Sequence, residues 1–161
     1  MWSVLGKGVG VYLGDCLDGM KMLPDNSIDS IVTDPPYGIS FMGRDWDHGV
    51  PGKHFWEEML RVLKPGGHFC VSDVVIKGEL PEKLQKDAEM YAGCVSGAIE
   101  INDYINIIKN TGFRNLKIHK KKDIVIPVEI LKNYMGHDEL ELFKKGDTGI
   151  YSITISAEKE I

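Results

Sequence analysis

Two consecutive prolines, Pro35 and Pro36, follow the apolar run Ile28–Thr33 after a single aspartate, Asp34. Proline has no backbone N–H and fixes φ at about −65°, so a strand that reaches this pair cannot stay in the ladder of a sheet. The residue before a proline is driven to extended backbone as well. The chain must therefore leave the sheet at Asp34 in a stiff, extended corner. That corner presents a carboxylate, Asp34, and an aromatic ring, Tyr37, together at a strand end. A planar amine held by the Asp34 carboxylate and the Pro35 carbonyl, with its ring stacked on Tyr37, would aim its nitrogen lone pair at an electrophile.

Apolar periodicity supplies the frame around this corner. Residues 9–13 read as a strand, 17–23 as a short helix stopped by Pro24, and 28–33 as a buried strand. Phe55, Met59 and Val62 recur at helical spacing across 54–64, and Pro65-Gly66-Gly67 terminates that helix. Residues 68–75 read as the next strand. Pro81 opens a helix carrying Leu84, Ala88 and Tyr91 on one face, and Asn102 caps another bearing Tyr104, Ile105 and Ile108, which ends at Gly112. A strand over 116–126, helical stretches over 128–135 and 139–144, and an alternating strand over 151–157 complete the chain. Strands alternating with helices predict an α/β sheet covered on both faces, in one domain over residues 1–161. Ligands of such sheets bind beyond the carboxyl ends of the strands, which selects Asp15, Asp34 and Ser72-Asp73.

Composition narrows the chemistry. With 161 residues, 43% hydrophobic and 27% charged, the chain can bury a real core, which excludes disordered, collagenous and coiled-coil classes. Cys16, Cys70 and Cys94 form no C-x-x-C, and no histidine pair has metal-ligand spacing, so neither a disulfide framework nor a metal site is expected. Cys70, inside a strand pattern, reads as core. No apolar run approaches the roughly 18 residues of a membrane span and no leader is evident, so no membrane and a cytoplasmic location are expected. A net charge of −5 disfavours a polyanionic partner, since binding a phosphate backbone needs Lys or Arg to displace counterions. The basic run Lys120-Lys121-Lys122 reads as a solvated or edge-protecting face of a strand.

Asp34-Pro35-Pro36-Tyr37 resembles the catalytic loop of S-adenosylmethionine-dependent DNA amino-methyltransferases, which methylate adenine N6 or cytosine N4 on a flipped base. The likeness runs over residues 11–67, through the Gly14-Asp15-Cys16 turn, the Pro24-Asp25-Asn26-Ser27 bend and the stretch from Gly38 to Asp47. It implies a Rossmann-like class I methyltransferase sheet, with S-adenosylmethionine as methyl donor and DNA as one acceptor. Asp34, Pro35, Pro36 and Tyr37 would be catalytic, and Asp15 with Cys16 would be cofactor-binding, Asp15 matching the position that holds the adenine amino group. Trp46 would line the substrate slot or serve in packing.

From residue 69 onward the chain resembles instead the C-terminal half of arsenite methyltransferases, a second family on the same fold. Val71-Ser72-Asp73-Val74-Val75, Gly78-Glu79-Leu80-Pro81 and the stretch from Tyr91 to Ala98 carry this likeness. It implies an arsenical as the alternative acceptor and Cys94 as a thiolate ligand for trivalent arsenic; the bland alternative is a small buried residue on a helix. The two likenesses join near residues 67–69. Relative to both families the first strand-helix-strand-helix block, which carries the glycine-rich cofactor turn, is missing. Gly6, Gly8 and Gly10 have G-x-G-x-G spacing, but a strand pattern follows them where a helix is required. Three functions are thus in play: amine methylation, arsenical methylation, and a catalytically incompetent methyltransferase-like binding module. A sheet missing strands exposes edge, which predicts a homodimer burying the edge beside residues 9–13.

Overall fold

The computed structural model describes residues 2–6, 8–35, 52–78, 80, 98–145 and 148–161. Its longest element is a 15-residue strand, β4 (Leu63–Lys77), whose apolar side chains build the core. Phe69, Val71 and Val75 lie on one face of it and are fully buried. They continue into Ala157, Ile155 and Ile153 of β6 (Gly149–Glu158), which runs antiparallel to β4 with Phe69 opposite Ala157 and Val71 opposite Ile155. On this face pack α2 (Lys53–Val62) and α3 (Ile101–Thr111), which contribute Trp56, Met59, Tyr104 and Ile108. Trp56 stands edge-on to both Phe55 and Tyr104, and Phe69 edge-on to Phe113 at 4.8 Å between centroids, the geometry favoured by the ring quadrupoles.

Four strands make the main sheet, in the order β3-β4-β6-β5, with β3 (Ile28–Thr33) parallel to β4 and β5 (Arg114–Asp123) antiparallel to β6. The single parallel pair is joined through α2, as a parallel crossover requires. The sheet is therefore mixed and mostly antiparallel, an α/β arrangement in which, among the described residues, only β3 and β4 define a shared carboxyl-end rim. Two more strands, β1 (Trp2–Gly6) and β2 (Val9–Tyr12), form a separate antiparallel hairpin, and the short helix α1 (Cys16–Lys21) follows it. On the opposite face of the sheet Val74, Ile76 and Ile150 pack with Ala98, and a small cluster of Leu131, Met135 and Leu140 gathers around α4 (Val128–Leu131) and α5 (His137–Lys145).

Several sequence expectations change in detail. The strand over 28–33 is in place but is not buried: it is an edge of the sheet, and Val32 is 84% exposed. Apolar spacing reports which residues can be buried, whereas the neighbour that would bury them is a matter of topology. Cys70, expected in the core, is half-buried, opposite Val32 and Ser156 on the face of the sheet away from α2 and α3. Pro65-Gly66-Gly67 does end α2, yet it lies inside β4 as an irregularity: the register jumps from Ile28 opposite Leu63 to Ser30 opposite His68. Gly66 adopts φ +77°, and a Cβ on Gly67 would sit 2.8 Å from the Lys64 carbonyl oxygen and 3.0 Å from that of Asp29. Glycine is what lets the two backbones meet there. The strand continues unbroken past residues 67–69, so the sheet spans the join between the two likenesses. α3 is capped by Glu100, whose carboxylate accepts from the Asn102 amide at 2.6 Å, two residues earlier than the Asn102 cap expected. Lys120, Lys121 and Lys122 do lie exposed on an edge strand, β5, with the Lys121 ammonium 3.7 Å from the centroid of the Tyr151 ring. The helix expected from Pro81 lies outside the described residues.

Two cations tie the lower rim together. The Arg61 guanidinium on α2 donates to the carbonyls of Met20 and Leu23 and to the carboxylates of Asp25 and Glu58, fixing α1 and its exit loop. The Lys159 ammonium donates to the carbonyls of Leu60 and Leu63 at 2.8 Å each and to Asn26 Oδ1 at 2.7 Å. It satisfies carbonyls that the end of α2 leaves without helical partners.

Candidate active site

The corner after β3 begins as the two prolines require. β3 stops at Thr33, Asp34 is exposed, and Pro35 is buried. Pro36, Tyr37 and Trp46, and Cys94 of the second likeness, lie outside the described residues. The parallel register places Thr33 beside Val71, so the chain leaves the sheet at Asp34 alongside Ser72 and Asp73 of β4. Two of the three polar positions selected at strand ends, Asp34 and Asp73, are thereby brought together.

Asp73 is a carboxyl in an apolar setting. It shares its face of β4 with Val71 and Val75, stands opposite Ile153, and is 7% exposed. Its Oδ1 accepts the Val74 amide at 2.7 Å. Desolvation lifts its pKa from the ordinary 3.8 to about 6; the Tyr104 hydroxyl of α3 and the hydrogen bond from the Val74 amide pull the other way, and the nearby Asp34 charge adds to the rise. The sequence marks Asp73 only as a polar residue near a strand end; what makes it unusual is burial on the face that α2 and α3 cover, where Tyr104, whose ring reads as core by helical spacing, arrives from a helix about thirty residues away.

The third strand-end position, Asp15, is spatially separate in role. Its carboxylate accepts the Leu17 amide at 2.8 Å and caps α1. Beside it is a cavity of about 280 Å³ lined by Tyr12, Gly14, Cys16, Gly19, Met20 and Leu23. The Tyr12 ring lies across two glycines: a Cβ on Gly14 or on Gly19 would come within 2.9 Å of it. Desolvation raises the Cys16 thiol pKa, and the Asp15 carboxylate raises it further, so the thiol is not activated as a nucleophile. Tyr12 and Gly19 escape a sequence reading because one reads as an ordinary strand residue and the other as an ordinary helical one.

These residues can be tested against a bound S-adenosylmethionine. The cavity is just below the roughly 300–1,000 Å³ of clefts that enclose whole small molecules, and its aromatic wall and glycine floor suit one flat ring. They fit the adenine end. Gly6, Gly8 and Gly10 belong to the β1–β2 hairpin, with Gly8 at φ +78°, and no helix begins there. Among the described residues no glycine turn joins a parallel strand to a helix to receive the methionine end. Among the described residues, too, no group of three or more His, Cys, Asp or Glu side chains could hold a metal ion, and no helix is long and apolar enough to cross a membrane.

Comparison with known proteins bears on the family and the fold. A family model described as a methyltransferase domain matches residues 5–124. The type II methyltransferase M.BamHI of Bacillus amyloliquefaciens is 35% identical over 84 residues, 45% of this chain and 18% of its own length. An arsenite methyltransferase of Aquipseudomonas alcaligenes is 30% identical over 114 residues, 71% of this chain and 30% of its own. The chain thus spans less than a third of either relative. Among solved structures, an arsenic(III) S-adenosylmethionine methyltransferase from Chlamydomonas reinhardtii superposes with a TM-score of 0.60 at 24% identity, over 91% of this chain and 43% of that one. At that identity the likeness shows the fold.

Proposed function

Because the chain belongs to the methyltransferase domain family, we propose that it serves S-adenosylmethionine-dependent methylation of an amino nitrogen, with the corner after β3 orienting the acceptor. The observation that carries this reading is the exposed Asp34 followed by a buried Pro35, at the rim of the parallel pair β3–β4. The Asp34 carboxylate accepts one N–H of the amine and the Pro35 carbonyl the other, which fixes the direction of the nitrogen lone pair. Pro36 stiffens the corner, Tyr37 stacks on the ring that bears the amine, and Trp46 lines its slot. As the nitrogen gains a fourth bond it becomes cationic, and the Asp34 charge is worth most at that moment. S-adenosylmethionine, when bound, supplies an electrophilic methyl group; Tyr12, Asp15 and Cys16 hold its adenine end.

The relatives divide between two acceptors. Aromatic amines of the adenine or cytosine type follow from the corner, and DNA is then the acceptor. Arsenite is the second reading, supported by a relative that aligns with 71% of the chain, and it assigns Cys94 as the thiolate ligand. A methyltransferase-like module without turnover is the reading left if neither acceptor is methylated. The experiment measures transfer of labelled methyl from S-adenosylmethionine to an adenine- and cytosine-containing oligonucleotide and, separately, to arsenite. Label in the oligonucleotide that is lost in Asp34→Ala supports the amine reading; label in arsenite that is lost in Cys94→Ser replaces it. The exposed apolar residues Val9, Val11 and Leu13 support a homodimer through the β1–β2 hairpin, and a monomer by light scattering would contradict it.

A further inference from the structure

Amine orientation by Asp34 leaves Asp73 without a role. A carboxyl placed between Val71 and Val75 on the helix-covered face of a strand costs folding free energy, and hydrogen bonding recovers only part of it. Groups acting on Asp73 come from each element around it. β4 itself gives the Val74 amide, α3 the Tyr104 hydroxyl, and the end of β3 the Asp34 carboxylate, while β6 places apolar Ile153 opposite. Among the described residues no cation acts on it. A buried, anchored carboxyl thus stands behind an exposed one at the rim of the same strand pair.

We infer that Asp73 is a positioning residue for Asp34, a fixed carboxyl behind the strand end that sets how much negative charge the corner presents to an amine. This rests on the amine reading above. With Asp73 protonated the pair carries one negative charge; with Asp73 ionised it carries two, and a nitrogen turning cationic beside Asp34 is better stabilised. The second charge arrives as the pH rises through Asp73's own titration. The pair belongs to one rim, so the role of Asp73 is exerted through Asp34 and needs no contact with the acceptor.

The test uses the full chain with isotope-labelled aspartate carboxyls followed by NMR across pH 3–9. Replacing Asp34 by Asn removes a like charge, so the Asp73 midpoint should fall by roughly 0.3 pH unit or more. Tyr104→Phe, which removes a hydroxyl favouring the charged form, should raise it. An Asp73 midpoint unmoved in Asp34→Asn overturns the inference, whether or not methyl transfer is detected. Where transfer to the amine acceptor is measured, kcat in the wild type should rise through pH 6 with KM nearly constant, and Asp73→Asn should flatten that limb. A limb unchanged in Asp73→Asn, with transfer still dependent on Asp34, would also overturn the inference and leave the amine reading standing. Transfer that survives Asp34→Ala would remove the amine reading, independently of how Asp73 titrates.

Discussion

Substituting Asp73 by Asn should make the stability difference between mutant and wild type depend on pH, in a direction fixed by burial. The Asp73 carboxyl has an ordinary pKa of 3.8 and a folded one of about 6, mainly because the apolar face of β4 desolvates its charge. A carboxyl whose pKa is raised on folding binds more protons in the native state between those values, so native stability falls as the pH climbs from about 4 to about 6. At about 1.4 kcal/mol per pH unit, that gap is worth about 3 kcal/mol, an order-of-magnitude figure. Asn has nearly the same shape and carries no charge; its amide oxygen can still accept the Val74 N–H. Other carboxylates, such as Glu57, whose pKa is lowered by its hydrogen bond from Lys53, push total stability the opposite way. The informative quantity is therefore the mutant minus wild-type difference, from urea unfolding at pH 4, 5, 6, 7 and 8. Asn should gain on Asp by about 2.4 kcal/mol between pH 4 and pH 8, the remainder of the roughly 3 kcal/mol having already appeared by pH 4, with most of the change below pH 7. A difference flat with pH would mean that Asp73 is not desolvated in the folded chain.

Three further perturbations probe the frame that holds the corner. Lys159→Met keeps the apolar stem but leaves the Leu60 and Leu63 carbonyls and Asn26 Oδ1 without their donor; urea unfolding should show a loss of about 2–3 kcal/mol. Gly67→Ala puts a methyl group 2.8 Å from the Lys64 carbonyl and 3.0 Å from that of Asp29, so β3 and β4 must separate, at a cost of about 1–3 kcal/mol and a visibly lower melting temperature. Asp15→Ala removes the cap that accepts the Leu17 amide and should cost about 1 kcal/mol by the same unfolding assay. In calorimetry the same substitution should weaken S-adenosylhomocysteine binding through the adenine end.

How much of this could be read in the sequence depends on the range of the interactions. The helix expected over 54–64 and the strand expected over 151–157 appear as Lys53–Val62 and Gly149–Glu158, because period and terminators are local properties. The bounds 28–33 of β3 are as expected for the same reason, since Pro35-Pro36 ends it. Its edge position is not local: an Ile-Val run looks the same whether or not a neighbouring strand covers it, and Val32 turns out exposed. The site shows the same divide. Asp34 stands out through the prolines after it, and its exposure next to a buried Pro35 follows the reading of the corner. Asp73 becomes notable only once the parallel register brings β4 alongside Asp34 and α3 brings Tyr104. Likewise Tyr12 gains its place from two glycines, Gly14 and Gly19, whose missing side chains make room for the ring.

If the corner at Asp34 holds an amine for methylation, labelled methyl from S-adenosylmethionine should pass to a purine- or pyrimidine-amine acceptor. With wild type and Asp34→Ala compared at equal folded concentration and pH 7.5, label should enter the acceptor with the first and fall at least about 100-fold with the second. Equal incorporation by the two proteins would mean that Asp34 does not orient the amine.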